Sequence, residues 1–330
     1  MALVQAETVQ ARLNAAHPGL ESELVIIKTS GDWTPAHGDV RLSAVEGGKG
    51  LFAKEIEQAL LAGDIDIAVH SMKDMDSQLP EGLQIDHMLD REDPRDALLL
   101  RDKVTSHLKD IDTNLSNYSQ LNNDAFDAIS QGMVVGTASV RRAAFLLSKR
   151  PDLQIVPFRG NVQTRIDKLR AENSENDGAN VGCTFLAMAG LNRLGLSDEA
   201  DIILEPEVML PAAGQGAIGI ETRRGDGEVI ANISHISDFK TVLCVKAERA
   251  VLCVLDGSCH TPIGAYATLE QGQMWLRVCV VSLDGQQRWD DDIRGSVATI
   301  EEAVELGRII GERLKTQISP EIFEQVASDG

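Results

Sequence analysis

His70-Ser71-Met72-Lys73-Asp74 follows the apolar run Ile67-Ala68-Val69. Polar side chains leaving the end of a buried strand stand where open α/β sheets place their ligands. A carboxylate there can serve as general acid and base or hold a developing cation, while an adjacent ammonium can bind an anionic substrate group. The bland alternative is a solvated turn carrying an ion pair. A second set of candidates is basic. Arg141-Arg142 open a predicted helix just after Thr137 and Ser139, Arg159 and Arg165 flank Gly160-Asn161, and Arg193 lies on the next helix. Arg141, Arg142 and Arg165 fall in first helical turns, where backbone N–H groups and the helix dipole already favour anions. Guanidinium forks match carboxylate or phosphate, and at an effective dielectric of ~20 a contact at 4 Å is worth about 4 kcal/mol. Any one of these arginines could instead pair with a surface Asp or Glu. Their repeated placement at strand-to-helix turns favours a polycarboxylate or phosphate site.

The third candidate is Cys259, in the loop Asp256-Gly257-Ser258-Cys259-His260-Thr261-Pro262. Small, polar neighbours make it accessible and the imidazole can promote the thiolate, so nucleophilic or covalent attachment chemistry suits it, although loops also tolerate inert cysteines. Cys183, Cys244, Cys253 and Cys279 sit in apolar patterns and read as packing. With an odd cysteine count and no C-x-x-C pair, neither a disulfide framework nor a zinc site is expected. Gly47-Gly48-Lys49-Gly50 could cradle an anion but lacks the trailing Lys-Ser/Thr of a nucleotide loop.

The elements that must position these residues alternate between helix and strand. AETVQARLNAAHPG reads as an amphipathic helix ended by Pro18-Gly19, and SELVIIKTS as a buried strand. LFAKEIEQALLAG is a helix, DIDIAVH the strand after it in the manner of a parallel sheet, and QIDHML and DALLLR are further strands. After Arg101 the chain turns polar and Asn/Asp-rich, which marks a domain boundary. Alternation resumes with MVVGT, SVRRAAFLLSKR, LQIVPF, NVQTRIDKLRA, VGCTFLA and MAGLNRLG. DIILE and the Gly-rich LPAAGQGAIGIETR can then return the chain to the first domain. From about Asp226 a smaller unit follows: a long helix, the Cys259 loop, two strands joined by a Gly turn, and the helix TIEEAVELGRIIGERLK.

A chain of 330 residues has room for two or three such domains. Its 31 basic against 51 acidic residues give −20 at pH 7, which argues against nucleic acid and anionic membranes as partners. No apolar run reaches the ~18 residues of a membrane span, and MALVQAETVQAR lacks a basic-then-apolar leader, so a cytoplasmic location is expected.

Taken in order, ALVQAETV, GGKGLFAKEIE, DIAVHSMKD, REDPRDALL, VVGTASVRR, RGNVQTR, LAMAGLNRLG, LPAAGQGAIGIE, AERA and GSCHTPIGAY resemble segments of the porphobilinogen deaminase (hydroxymethylbilane synthase) family along nearly the whole chain. The resemblance implies an α/β fold of three domains: two lobes like type II periplasmic binding proteins and a smaller C-terminal α/β domain with a short antiparallel sheet. The expected spans are 1–101 plus 203–223, 104–200 and 224–330. It implies a transferase of tetrapyrrole synthesis that condenses four porphobilinogen molecules head to tail into hydroxymethylbilane, releasing ammonia. The primer is a dipyrromethane cofactor held through a thioether by the cysteine matching Cys259.

Carried over by position, the resemblance implies that Asp74 is the catalytic aspartate, assisting deamination and stabilising the cationic azafulvene and pyrrole nitrogens. Lys73, Ser71, Thr137 and Ser139 match cofactor or substrate contacts, and Arg141, Arg142, Arg159, Arg165 and Arg193 match arginines that bind acetate and propionate side chains. Lys49, Phe52, Asn161 and Gln215 fall in matching binding segments. No metal is implied, and a monomer is expected. The chain departs from the family pattern in four places. Met1 stands directly before Ala2-Leu3, where the family has a strand and an Arg-x-Ser-type segment, so that strand and its anion contact are expected to be missing. The stretches 103–131 and 172–181 are longer than usual and Asp76 replaces a proline, all three at positions expected to tolerate change. Two other readings fit the same residues: a non-catalytic binder of a small polyanion, which would not need Cys259, and an inactive homologue.

Overall fold

The computed structural model describes residues 1–27, 29, 53–102, 126–171, 180–255, 261–319 and 322. Its first half opens with α1 (Ala2–Ala16) and α2 (Lys54–Ala62), which leads into β1 (Ile67–Ser71) and then β2 (Leu83–Met88). A second α/β succession runs through β3 (Asp96–Leu100), β4 (Val134–Gly136), α3 (Val140–Lys149), β5 (Gln154–Val156), α4 (Val162–Arg170), β6 (Cys183–Ala187), α5 (Met188–Arg193) and β7 (Ile202–Leu204). β8 (Ile218–Arg223), α6 (Gly227–Ser234) and α7 (Phe239–Val254) follow, then the hairpin β9 (Ile263–Glu270) and β10 (Gln273–Val281), β11 (Arg288–Ser296) and α8 (Ile300–Gln317).

Three sheets result, with described strand orders β1-β8-β2, β5-β4-β6-β3-β7 and β11-β10-β9. In the first, β8 pairs antiparallel with both neighbours, so the return of LPAAGQGAIGIETR is seen directly. The parallel setting expected for DIDIAVH is not: its described partner is β8, with His70 opposite Gly219. SELVIIKTS does not form the expected buried strand over its described part, since 21–27 carry no strand and Val25 and Ile26 are 57% and 80% exposed. An apolar run becomes a strand only where a neighbouring backbone takes its hydrogen bonds, and no described segment does so.

The second sheet is mixed. β4 lies parallel to β5 and β6, whereas β3 is antiparallel to β6 and β7. Asp96–Leu100 and Ile202–Leu204 therefore belong with this sheet, although the expected spans put Asp96–Leu100 and most of Ile202–Leu204 with the first. The chain passes between the sheets within 89–95 and again within 205–217. Alternation along β3 explains why the run Asp-Ala-Leu-Leu-Leu is apolar throughout: Leu98 and Leu100 face Phe145 and Leu146 of α3, while Ala97 and Leu99 face Ile166 and Leu169 of α4. Burying each such leucine contributes about 1.5–3 kcal/mol, so the sheet that carries the arginines is anchored on both faces.

The third sheet is antiparallel throughout and packs with α7 and α8 around Ala247, Val251, Ile263, Leu276, Ile310 and Leu314. Thr299 and Glu302 close a capping box at the start of α8. Another face of α7 is turned to the first sheet, where Val242 and Val245 meet Met72, Met75, Ile85 and Met88.

Candidate active site

β1 ends at Ser71 and passes into a single 3-10 turn, Met72–Asp74. The turn can sit tightly on the returning segment because two positions there lack a side chain. A Cβ on Gly214 (φ +72) would lie 2.8 Å from Met72 Cβ, and one on Gly219 2.1 Å from Met72 Sδ. The Met72 amide donates to the Ala217 carbonyl at 3.1 Å, and its side chain is buried. With Met72 fixed, Asp74 is left exposed and Lys73 half-buried. Ser71 Oγ is held by the Gln5 side chain of α1 (2.8 and 3.1 Å). His70 points the other way, into the sheet, where Nε2 meets Glu221 Oε2 at 2.8 Å.

On the second sheet Thr137 Oγ1 accepts from the Ser139 amide (3.1 Å), and Ser139 caps α3 by accepting from the Arg142 amide. Asn161 caps α4, its side chain accepting from the Thr164 amide at 2.8 Å. These polar residues shape the helix starts that carry the arginines. Arg141 and Arg142, expected at an anion site, converge on Asp96, which is fully buried at the head of β3. Arg141 Nη2 donates to Oδ2 at 2.7 Å, and Arg142 donates to Oδ1 through Nη2 (2.7 Å) and Nε (3.2 Å). Gln215 Nε2 adds a bond to Oδ1 (2.9 Å) and one to the Pro94 carbonyl (2.6 Å), so Gln215 joins this node from the second crossing segment. Arg141 Nη1 also donates to the Leu210 carbonyl and Arg142 Nη1 to that of Phe185, both at 2.7 Å. Burial pushes the Asp96 carboxyl up, but the two guanidinium groups prevail and hold it well below the usual carboxylate range. Arg193 is bound at the crossing too, donating to the Gly216 carbonyl at 2.6 Å.

The two sheets meet electrostatically at Lys73. Burial pushes its ammonium down to about 8; Asp74 and Asp96 oppose the shift, while Arg142 and Arg165 add to it. Burial likewise lowers Arg165, to about 10, with Arg142 adding and Asp74 opposing. Arg165 Nε is buried with no hydrogen-bond partner among the described residues. Lys73, Asp74, Arg142 and Arg165 thus share one field, in which positive charge exceeds negative and a carboxylated ligand gains most. Arg159 is buried three residues beyond the end of β5. Lys49, Phe52 and Cys259 lie outside the described residues.

Sequence reasoning gave no role to Asp96, Gln5, Glu221 or Glu248. Asp96 carried a signal, since a carboxylate opening an all-apolar strand must be paired if it is buried. Glu248 also is fully buried; it receives Arg91 (2.5 and 3.1 Å) and the Gly214 and Ala267 amides, tying α7 to both crossing segments.

Several α/β units, with an acid–ammonium turn on one sheet set against guanidinium groups on another, define a protein that handles a small, carboxylate-rich molecule. Comparison with known proteins narrows the class. Residues 1–231 match the family model "Porphobilinogen deaminase, dipyromethane cofactor binding domain", and residues 242–316 match "Porphobilinogen deaminase, C-terminal domain". The chain is 42% identical over 326 residues to the porphobilinogen deaminase of Trichlorobacter lovleyi, covering 99% of this chain and 93% of that one. It is 41% identical over 327 residues to that of Geotalea uraniireducens, covering 99% and 92%. The chain belongs to the porphobilinogen deaminase family, enzymes that condense porphobilinogen into hydroxymethylbilane with a dipyrromethane cofactor. The residues present suit that cofactor: its acidic side chains need cationic partners, and the unpartnered Arg165 Nε beside Lys73 and Arg142 is such a donor. No described helix is long and apolar enough to cross a membrane.

Proposed function

We propose that this chain joins four porphobilinogen molecules head to tail, with Asp74 as the catalytic group and Cys259 as the anchor of the dipyrromethane. The observation that carries this reading is the exposed Asp74 carboxylate at the tip of a turn anchored by the buried Met72, in the field of Lys73, Arg142 and Arg165. When bound, the dipyrromethane supplies the primer to which successive pyrrole units are joined. Asp74 moves the proton as the amino group leaves substrate and holds the positive charge that develops on nitrogen. Lys73, Arg142 and Arg165 neutralise the substrate's carboxylates, with Ser71, Thr137, Ser139 and Asn161 fixing the local backbone. Arg159 and Arg193 complete the basic set, Arg193 standing at the second crossing segment. Arg141 and Gln215 act through the Asp96 node, where Arg141 bonds Asp96 and the Leu210 carbonyl and Gln215 bonds Asp96 and the Pro94 carbonyl.

The architecture proposed is two lobes like type II periplasmic binding proteins plus a C-terminal domain. The chain crosses twice between the lobes, and both crossings are tied by Arg91 and Glu248. The same reading places a monomeric enzyme in the cytoplasm, with porphobilinogen as its small-molecule partner. Porphobilinogen consumption by Asp74→Ala tests it. The variant folds normally and loses about 10²–10⁴-fold in turnover, the usual worth of acid–base assistance. Near-normal turnover in a folded variant would refute the assignment of Asp74.

A further inference from the structure

Lys73 and Asp74 stand on a turn with little backbone bonding of its own. It is three residues long, and its closing bond, from the Met75 amide to the Met72 carbonyl, is a long 3.4 Å. The side chains that hold the Met72 carbonyl and those just after the turn come from the C-terminal domain. Arg249 of α7, 9% exposed, donates through Nη1 to the Met75 carbonyl (3.1 Å) and, at the outer edge of bonding distance, to that of Met72 (3.5 Å); its Nη2 donates to the carbonyl of Asp76. Four residues further along, the Cys253 thiol donates to the Ser77 carbonyl at 3.2 Å. Val242, Val245, Arg249 and Cys253 recur at helical spacing, so one stripe of α7 first packs under Met72 and Met75 and then grips the backbone beyond them.

We propose that Arg249 is a positioning residue: it locks the Lys73–Asp74 turn onto α7 and so fixes where the Asp74 carboxylate stands. The proposal rests on the reading of Asp74 as the catalytic group. A planar guanidinium suits the task because it reaches several carbonyls from one rigid fork, which an ammonium does not. A displacement of about 1 Å at a reacting group can cost 10²-fold in rate. Arg249 itself faces backbone oxygens and not the exposed tip of the turn, so its loss acts on geometry and leaves the substrate-binding cations in place.

The test uses the full chain with Arg249→Gln and Arg249→Lys, read by steady-state kinetics on porphobilinogen and by amide hydrogen exchange over residues 70–80. The expected result for Arg249→Gln is a kcat lower by about 10- to 100-fold with KM within about twofold of wild type, and faster exchange at the Met72 and Met75 amides. Arg249→Lys, keeping the charge but not the fork, recovers part of both losses. Wild-type kcat, or unchanged exchange at these amides, in either variant overturns the proposal. If the glutamine variant does not fold, the lysine variant gives the same two readings. An inactive wild-type chain would sink the catalytic reading, whereas unaltered exchange with an active wild type would sink only the role of Arg249.

Discussion

The Asp74 turn and the Asp96 node are both assemblies of acid and base, and they sit in opposite states. At Asp96 the carboxylate is fully buried and takes hydrogen bonds from Arg141, Arg142 and Gln215. At Asp74 the carboxylate is exposed, and its neighbour Lys73 is held by burial at a pKa of about 8. Charges that have satisfied one another hold structure, while charges left with spare capacity in a partly dry site can act on a ligand. Arg142 belongs to both, bonded to Asp96 while its field reaches Lys73. The node therefore fixes Arg142 at the start of α3, where its charge acts on the turn.

The largest expected effect breaks the node. Asp96→Asn leaves two buried guanidinium groups without their counter-charge and should cost about 3–5 kcal/mol of stability, read from denaturant unfolding. Arg141→Leu should destabilise by a similar amount. Arg165→Leu sharpens the contrast, since it should leave the unfolding midpoint nearly unchanged while raising KM for porphobilinogen about 10- to 100-fold, the worth of one charged hydrogen bond of about 1.5–3 kcal/mol. Equal effects of Arg141→Leu and Arg165→Leu on stability would erase the distinction drawn between them.

A smaller effect concerns pH. Lys73 loses its proton at about 8 in the folded chain, well below the ordinary 10.5, so its attraction for carboxylates is complete below that value and fades above it. The kcat/KM of the wild type should fall as pH rises through about 8, and Lys73→Gln should be lower at pH 7 and lack that limb. The smallest effect is at Cys253, whose weak thiol bond to Ser77 is one of several on that stripe. Cys253→Ala should change turnover less than about twofold and leave pyrrole attachment intact, checked by intact mass.

Much of this site could be read from the sequence. The turn after Ile67-Ala68-Val69, the helix starts at Ser139 and Asn161 and the return of 210–223 to the first sheet follow from apolar runs and capping residues, which are local signals. The partners of Arg141 and Arg142 did not follow, because Asp96 lies 45 residues away and only sheet pairing brings it beneath them. Strand membership failed for the same reason: Asp96–Leu100 is as apolar as any core strand, and nothing local says which of two sheets it joins. Val25 and Ile26 show the limit of composition, since apolar residues specify burial only where another element covers them, and among the described residues none covers these two.

If Cys259 and Asp74 act as proposed, this chain assembles and carries its own dipyrromethane at Cys259 and uses Asp74 to extend it. The intact mass of the full chain, purified from a cell that makes porphobilinogen, tests both roles of Cys259, as acceptor and as carrier. The expected result is an increase equal to two linked pyrrole units, lost in Cys259→Ala and retained in Cys253→Ala. An unmodified wild-type mass, or an adduct that persists on Cys259→Ala, would contradict it.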